Sequence, residues 1–281
     1  MLDWKRTLLP AYYWTTRPIR GWAARRAARS GRVPMIVVFY HRIADDRRND
    51  WTLATDEFLW QLDDLRNRFE FVSLAELQSR LRSGFNDRPA VAITFDDGYA
   101  DNCAVALPRL IAEGIPVTYF VTLEPIVTGR PFAHDLALVD SHGAPVPQPN
   151  SIEQLRQLAE AGVEIGGHSR THPHLGAVTD DQLLHDEITV ARTELARLIE
   201  RPIRHFAVPY GLRDDVTPRV IRAARDAGFE AVCSAYGGYN LPGDDAFHLR
   251  RIPATADRWR WRNWLSVDPL KLLAAEQRGV G

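Results

Sequence analysis

Two adjacent carboxylates follow an apolar run in the first half of the sequence. Residues 90–94 are mostly apolar and partly β-branched, and Phe95 leads from them into Asp96 and Asp97. Such a run predicts a buried parallel strand, and α/β folds build their sites at the C-terminal ends of parallel strands. One aspartate would be enough to cap a following helix. The second, placed just before Gly98, indicates chemistry beyond capping.

Two histidines follow another predicted strand, at residues 163–167. His168 and His172 are four residues apart, a spacing that would put both on one side of a helical turn within reach of one ion. With one carboxylate they would form a two-histidine, one-carboxylate set that leaves coordination positions open for water and substrate. A histidine pair alone more often belongs to a surface or a core. Its position after a strand, together with the aspartates, favours a metal site.

Three short segments resemble the motifs of a known enzyme family. Residues 94–99 (Thr-Phe-Asp-Asp-Gly-Tyr) and 168–173 (His-Ser-Arg-Thr-His-Pro) are similar to the first two motifs of the NodB-type polysaccharide deacetylases, carbohydrate esterase family four. Residues 206–211 (Phe-Ala-Val-Pro-Tyr-Gly) resemble the third motif. The resemblance covers residues 34–253 and implies an α/β fold, a distorted (β/α)7 barrel similar to a TIM barrel.

The resemblance also implies a role for each motif residue. Asp97, His168 and His172 would bind a divalent metal, with zinc expected first and cobalt, nickel or iron also suited to the set. Asp96 would be the general base that takes a proton from the attacking water. A cation beside Asp96 would keep its carboxylate ionised near neutral pH. Tyr210 would donate its backbone N–H to the oxyanion that forms when an amide is hydrolysed.

The sequence departs from the family pattern in two places. Many members carry an arginine at the position of Ala207, where it steadies the base, so another group must orient the base here. Many members also carry a Leu-His pair near the C-terminus that supplies the general acid. This chain has His248-Leu249 instead, an order that turns the histidine to the other face of a strand. Relatives without both features resemble deacetylases of exopolysaccharides such as poly-N-acetylglucosamine.

His41 is our catalytic candidate for the general acid. It follows the apolar run at residues 35–40, so it should lie at a strand end on the rim of the barrel. Some exopolysaccharide deacetylases of this family look circularly permuted, with an N-terminal Tyr-His in the acid role, and Tyr40-His41 resembles that arrangement. The alternatives are that His41 only hydrogen-bonds a loop and that His248 is the acid.

Strands and helices alternate along the chain, which is typical of parallel βαβ units. Ser73 and Glu76 form a capping-box pattern that predicts the start of one of the helices. Further strands are predicted at residues 117–121, 204–208, 229–234 and 247–252.

Residues 125–150 interrupt this alternation. The segment is rich in proline and glycine, so we predict a loop that passes over the rim. Loop histidines and aspartates are usually solvated, and those of this segment are therefore left out of the metal set: His134, Asp135, Asp140 and His142.

The first 33 residues differ from the rest of the chain in charge. The 281 residues have a formal charge of −1, but residues 1–33 carry +7 and the remainder −8. No apolar core follows the charges, so we expect neither a signal peptide nor a membrane span. The segment predicts either a peripheral contact with an anionic membrane or a helix that docks its aromatic rings on the domain. Those aromatic residues are Trp4, Tyr12, Tyr13, Trp14 and Trp22.

The composition narrows the class of protein. It is 45% hydrophobic and 25% charged, which is ordinary for a globular domain, and the near-zero net charge argues against nucleic-acid binding. We divide the chain into a basic aromatic segment at 1–33, a deacetylase domain at 34–253 and a tail at 254–281. We expect a cytoplasmic location. The basic segment suggests an additional association with a membrane.

The leading functional hypothesis is a metal-dependent hydrolase that removes N-acetyl groups from an amino-sugar polysaccharide or glycolipid. An alternative is a deformylase or deacetylase of lipid-linked sugars at the cytoplasmic face of a membrane, which the basic N-terminal segment motivates. A third hypothesis, from another class, is a catalytically silent carbohydrate-binding barrel. The presence of base, ligands and turn together argues against it.

Overall fold

The computed structural model of the chain describes residues 4–46, 50–137 and 146–276. Within this part, seven parallel strands follow one another around a barrel. Each strand pairs with the next along the chain and the last pairs with the first, which closes the sheet. The strands are β1 (Met35–Tyr40), β2 (Ala90–Phe95), β3 (Val117–Val121), β4 (Glu164–Gly167), β5 (His205–Ala207), β6 (Ala231–Ser234) and β7 (His248–Pro253). The distorted (β/α)7 barrel implied by the resemblance is therefore confirmed.

Helices cover the outside of the barrel, and a π-helical turn at Asp186–Val190 joins two of them. Three short strands of the described chain accompany the barrel. Arg42–Ile43 pairs with Thr52–Leu53, and Glu70–Phe71 pairs with β2. The described helices are α1 (Trp4–Arg29), α2 (Thr55–Arg66), α3 (Leu74–Ser83), α4 (Ala106–Ala112), α5 (Leu123–Thr128), α6 (Ala133–Ala137), α7 (Ile152–Glu160), α8 (Asp181–His185), α9 (Ala191–Ile199), α10 (Pro218–Asp226), α11 (Arg258–Trp264) and α12 (Pro269–Glu276).

Helix α3 closes the N-terminal end of the barrel. The Ser73 hydroxyl caps it by accepting from the N–H of Glu76, as the sequence predicts. Its Leu77 packs with the inward-facing residues of the strands. Its Gln78 amide donates to the carbonyls of Glu230 and Ala246, just before β6 and β7 begin. Because this end is filled, the open end is the one where the strands terminate.

The basic N-terminal segment forms α1, which docks on the C-terminal helices. The Tyr13 and Trp14 rings lie 5.9 and 6.4 Å from the ring of Trp259 on α11. Buried Arg20 donates to Asn263 at 2.8 Å and pairs with Asp268 at 3.1 Å. Within the segment predicted as a tail, Arg258–Trp264 and Pro269–Glu276 form α11 and α12. None of the described helices has both the length and the apolar character that a bilayer span requires.

The predicted loop at residues 125–150 is partly helical, so that prediction is wrong for α5 and α6. Helix α5 ends at Thr128, and Gly129 caps it in a left-handed backbone conformation that glycine adopts readily. Asp135 on α6 is buried and accepts from the Tyr99 hydroxyl at 2.8 Å. The His134 side chain, Asp140 and His142 lie outside the described residues.

Candidate active site

A cavity of about 420 Å³ opens where the barrel strands end. It contains every site residue that the sequence analysis selected, although they follow four different strands of the barrel. Its lining residues are Phe39, His41, Trp51, Asp96, Asp97, His168, His172, Val208, Tyr210, Ala235, Arg251 and Pro253.

Asp97, His168 and His172 converge at the bottom of this cavity. His168 Nε2 lies 3.5 Å and His172 Nε2 lies 3.3 Å from Asp97 Oδ1. One possible ligand atom from each of the three residues lies within 4.8 Å of the others. Asp97 and His168 are buried, and His172 is partly exposed. This is the geometry of a site that can hold one cation and still be reached from the cavity.

The path of the backbone between the two histidines differs from the prediction. Residues 168–172 form a loop after β4, so the expected helical turn is wrong. Ser169 and His172 have positive φ angles of 63° and 64°, and the His172 N–H donates to the Ser169 hydroxyl at 3.0 Å. The buried Glu187 carboxylate accepts from the N–H groups of Arg170 and Thr171 at 3.0 Å each. These bonds hold in place a conformation that non-glycine residues rarely adopt.

His168 is oriented by a partner behind it. Its Nδ1–H donates to the backbone carbonyl of Ala207 at 2.7 Å, which leaves Nε2 directed toward Asp97 as an acceptor for a metal. Burial would lower the pKa of His168, yet Asp97, Asp96 and the Ala207 carbonyl raise it. Ala207 thus acts through its main chain at a position where the family pattern has an arginine side chain.

The three residues fit a divalent cation. Asp97 Oδ1 is buried and accepts no hydrogen bond from the described residues. At 3.5 Å its contact with His168 Nε2 is too long for a hydrogen bond. Burial would raise the pKa of Asp97, but the neighbouring histidines lower it below its usual range. A buried carboxylate oxygen without a donor is costly, and a bound cation would stabilise it.

Asp96 is held apart from this set by an ion pair that the sequence analysis did not identify. Arg251 on β7 donates from Nη1 and Nη2 to the two carboxylate oxygens at 2.6 and 2.8 Å. Both side chains are buried. Burial would raise the pKa of Asp96, but Arg251, with His168 and His41, brings it below its usual value. Asp96 is therefore fixed and ionised, and its two oxygens are bonded to Arg251 rather than included in the cation-ligand set.

His41 and Tyr210 also line the cavity. His41 directly follows β1, and its ring lies 5.5 Å from that of Phe39. Electrostatic interaction with His41 contributes to the lowered pKa of both Asp96 and Asp97. Tyr210 has a positive φ of 58° in the turn closed by the Gly211 N–H and the Pro209 carbonyl at 2.6 Å. Within the described chain, the Tyr210 N–H has no hydrogen-bond acceptor.

His248 is far from the carboxylates. It begins β7, and Arg251, three residues later, reaches Asp96, so His248 lies about 10 Å closer to the closed end of the barrel. Its Nε2 pairs with the Tyr236 hydroxyl at 2.9 Å, and it does not line the cavity. His248 is three residues from Arg251, and residues an odd number apart in a strand point to opposite faces, so His248 points outward. The order His248-Leu249 in the sequence predicts the same orientation.

Three comparisons place these features among known proteins. Residues 84–232 match the sequence profile of the family described as Polysaccharide deacetylase. The chain is 27% identical to YxkH of Bacillus subtilis over 156 residues, which are 50% of this chain and 49% of that protein. It is 26% identical to the Sinorhizobium fredii chitooligosaccharide deacetylase over 168 residues, 59% of this chain and 66% of that one. The chain thus spans about half to two thirds of these relatives.

A solved structure, IcaB from Ammonifex degensii, shares the fold. The TM-score is 0.67 at 24% sequence identity, with 83% of this chain and 97% of that chain covered. At this level of identity the similarity supports the barrel fold, and we assign no residue roles from it.

We predict that His168→Ala or His172→Ala loses most bound metal, because each change removes a nitrogen ligand. Asp96→Asn should retain the metal, since its carboxylate is bonded to Arg251 instead. Metal content of zinc-loaded, desalted protein can be measured by mass spectrometry of the ion, with exposed His185→Ala as the matched control. If Asp96→Asn empties the site, the two aspartates have been assigned the wrong roles.

Proposed function

Because the chain belongs to the polysaccharide deacetylase family, we propose that it is a metal-dependent hydrolase that removes N-acetyl groups from an amino-sugar polysaccharide or glycolipid. The observation that carries the proposal is the pairing of two neighbouring aspartates with different partners. Asp97 faces two histidines, and Asp96 is held by Arg251. A carbohydrate-binding barrel without activity would need neither arrangement.

In this proposal each residue has one task in splitting the amide into acetate and a free amine. Asp97, His168 and His172 would hold a divalent cation, for which zinc is the first candidate. That cation would supply Lewis-acid chemistry, which activates water and polarises the amide carbonyl. Asp96 accepts the proton of the attacking water, and Arg251 keeps its carboxylate ionised and oriented.

The two remaining roles fall on the sides of the cavity. The Tyr210 N–H donates to the oxygen that becomes negative in the tetrahedral intermediate, and its lack of another described acceptor fits that role. His41 donates the proton that the leaving amine requires. Both roles are proposed from position. His41 is held at the end of β1, and Tyr210 is held in a tight turn.

A finer proposal concerns membranes and lipid-linked sugars. The exposed side of α1 carries Ile19 and Trp22, which are 54% and 55% exposed. A groove of about 800 Å³ between α1 and α12 is lined by Arg25, Arg26 and Arg29. Basic and aromatic side chains on one helical face suit an anionic membrane surface, such as the cytoplasmic leaflet. We therefore propose a peripheral contact there, which would bring lipid-linked N-acyl sugars within the substrate range.

The function is tested by acetate release from N-acetylchito-oligosaccharides, poly-N-acetylglucosamine and lipid-linked N-acetyl sugars with added zinc. We expect release from at least one substrate, and Asp96→Asn should lower it by on the order of a hundredfold or more, as for loss of a general base. Asp181→Asn, with a side chain that is 94% exposed, is the control for an aspartate change. No release from any substrate by metal-loaded protein would refute the hydrolase, and retained glycan binding would then indicate a binding barrel.

The general acid is tested by comparing two histidine variants. His41→Ala should lower kcat by roughly a hundredfold while metal content is unchanged. It should also abolish the fall in rate on the alkaline side, because an acid must be protonated to act. His248→Ala is the matched control and should keep that limb, since the residue faces away from the cavity. The opposite pattern would assign the acid to His248.

Membrane contact is tested by co-sedimentation with phosphatidylglycerol vesicles. Arg25→Glu combined with Arg29→Glu should weaken binding roughly tenfold or more, because each basic residue near the surface contributes about 1 kcal/mol. Arg88→Glu with Arg204→Glu is a control of equal charge change, at side chains that are 72% and 53% exposed. Equal loss in both double variants would argue against α1 as the contact.

A further inference from the structure

A second cavity of about 440 Å³ adjoins the candidate active site. Ala235 and Pro253 line both cavities, so they form the boundary between them. The Ala235 N–H also donates to the Gly211 carbonyl at 2.8 Å, which ties this boundary to the turn that carries Tyr210. A sugar chain with one residue in the active site would reach the second cavity with its next group.

Aromatic rings and a glycine turn shape this cavity, which we call the side cleft. Tyr236, Tyr239 and Trp264 contribute the rings. Those of Tyr236 and Trp264 are partly exposed and offer apolar faces suited to the C–H faces of sugars, whereas Tyr239 is buried behind them. Gly237 and Gly238 have positive φ angles of 80° and 136°, and a Cβ on Gly237 would meet nothing within 4 Å. The turn therefore leaves one side of the side cleft open to a ligand.

Lys271 is the charged group of the side cleft. It and Lys5 are the two lysines of a chain whose lysine and arginine residues total 35. Its Nζ donates to the Asn263 carbonyl at 2.8 Å, near the end of α11, which occupies one of its three N–H groups. Among the described residues, no carboxylate lies within 4.0 Å of Nζ. Arg20 and Asp268, its charged neighbours, pair with each other at 3.1 Å.

The environment of this amine is unfavourable for a charge without a partner. Burial lowers the pKa of Lys271 to about 8, with Asp268 opposing and Arg20 reinforcing the effect. The Asn263 carbonyl accepts one N–H, and the Tyr239 ring centroid lies 6.0 Å from Nζ, at the outer limit of a cation–π contact, so neither supplies a counter-charge. A partly buried ammonium in an aromatic cleft is stabilised when an anion enters and pairs with it.

We propose that the side cleft is a binding subsite for an anionic oxygen group, a phosphate or a carboxylate, carried by the sugar chain next to the N-acetyl group, and that Lys271 is its charged contact. The proposal deepens the proposed function and rests on it. A phosphate would come from a phosphorylated or lipid-linked sugar, and a carboxylate from a uronic acid in the polymer.

Binding is tested first without catalysis. In a Lys5→Arg protein, Lys271 is the single side-chain amine of the chain. Its rate of reductive methylation at pH 8 can be followed by peptide mass spectrometry. We expect N-acetylglucosamine 1-phosphate or a hyaluronan tetrasaccharide to slow the reaction more than neutral N-acetylchitotetraose at the same occupancy. The probe that protects identifies the source of the anion. Equal protection by all three probes would overturn the proposal.

Kinetics provide the second test. Lys271→Met should raise KM for the anionic substrate roughly tenfold or more, since a hydrogen bond to a charged group is lost. It should leave kcat/KM for N-acetylchitotetraose nearly unchanged. Equal losses on both substrates would reduce Lys271 to a structural residue. If Lys271→Met does not fold, the methylation result decides alone. If no substrate releases acetate, the proposed function fails while the methylation result still judges the subsite.

Discussion

A buried carboxylate and a buried guanidinium meet at the mouth of the barrel, and the chemistry proposed for this chain depends on their contact. Asp96 directly follows β2 and Arg251 lies in β7, the two strands that flank β1. Their two hydrogen bonds therefore connect the two strands on either side of β1, next to the pairing of β7 with β1 that closes the sheet. Loss of either partner would leave the other charge buried and unpaired, which typically costs about 3–5 kcal/mol. The same contact separates the neighbouring aspartates, because Arg251 satisfies Asp96 and leaves Asp97 for a cation.

The N-terminal helix and the side cleft share one support. Arg20 of α1 donates to Asn263, and Lys271 in the side cleft donates to the carbonyl of that same residue. Tyr239, another lining residue of the side cleft, donates its hydroxyl to Ser266 in the connection between α11 and α12. The proposed membrane contact and the proposed anion subsite are thus built on the same C-terminal helices. A lipid-linked substrate with a phosphate would engage both, whereas a uronic-acid polymer would engage the subsite alone.

Local sequence patterns predicted the strands well, but they did not predict contacts between residues far apart in the chain. The strands at residues 35–40 and 117–121 have the predicted bounds, because short runs rich in β-branched and aromatic residues, each preceded by a proline, favour buried strands. Arg251 was missed because its partner lies 155 residues away and no local pattern connects them. The sequence did contain one indication of its role: Arg251 is two residues after Leu249, so both side chains lie on the same, inward face of β7. The helical turn was wrong because spacing alone does not reveal positive φ angles at Ser169 and His172.

The central claim, that Arg251 sets the charge state of the base, is tested most directly by the pH dependence of kcat/KM for acetate release. The rate should fall as pH drops through the pKa of Asp96, which Arg251 depresses. Arg251→Met should raise that pKa and move the acid-side fall upward by about one to three pH units. Arg251→Lys keeps the charge without the two-pronged contact and should shift it less. An acid limb at the same pH in folded wild-type and Arg251→Met protein would contradict the account.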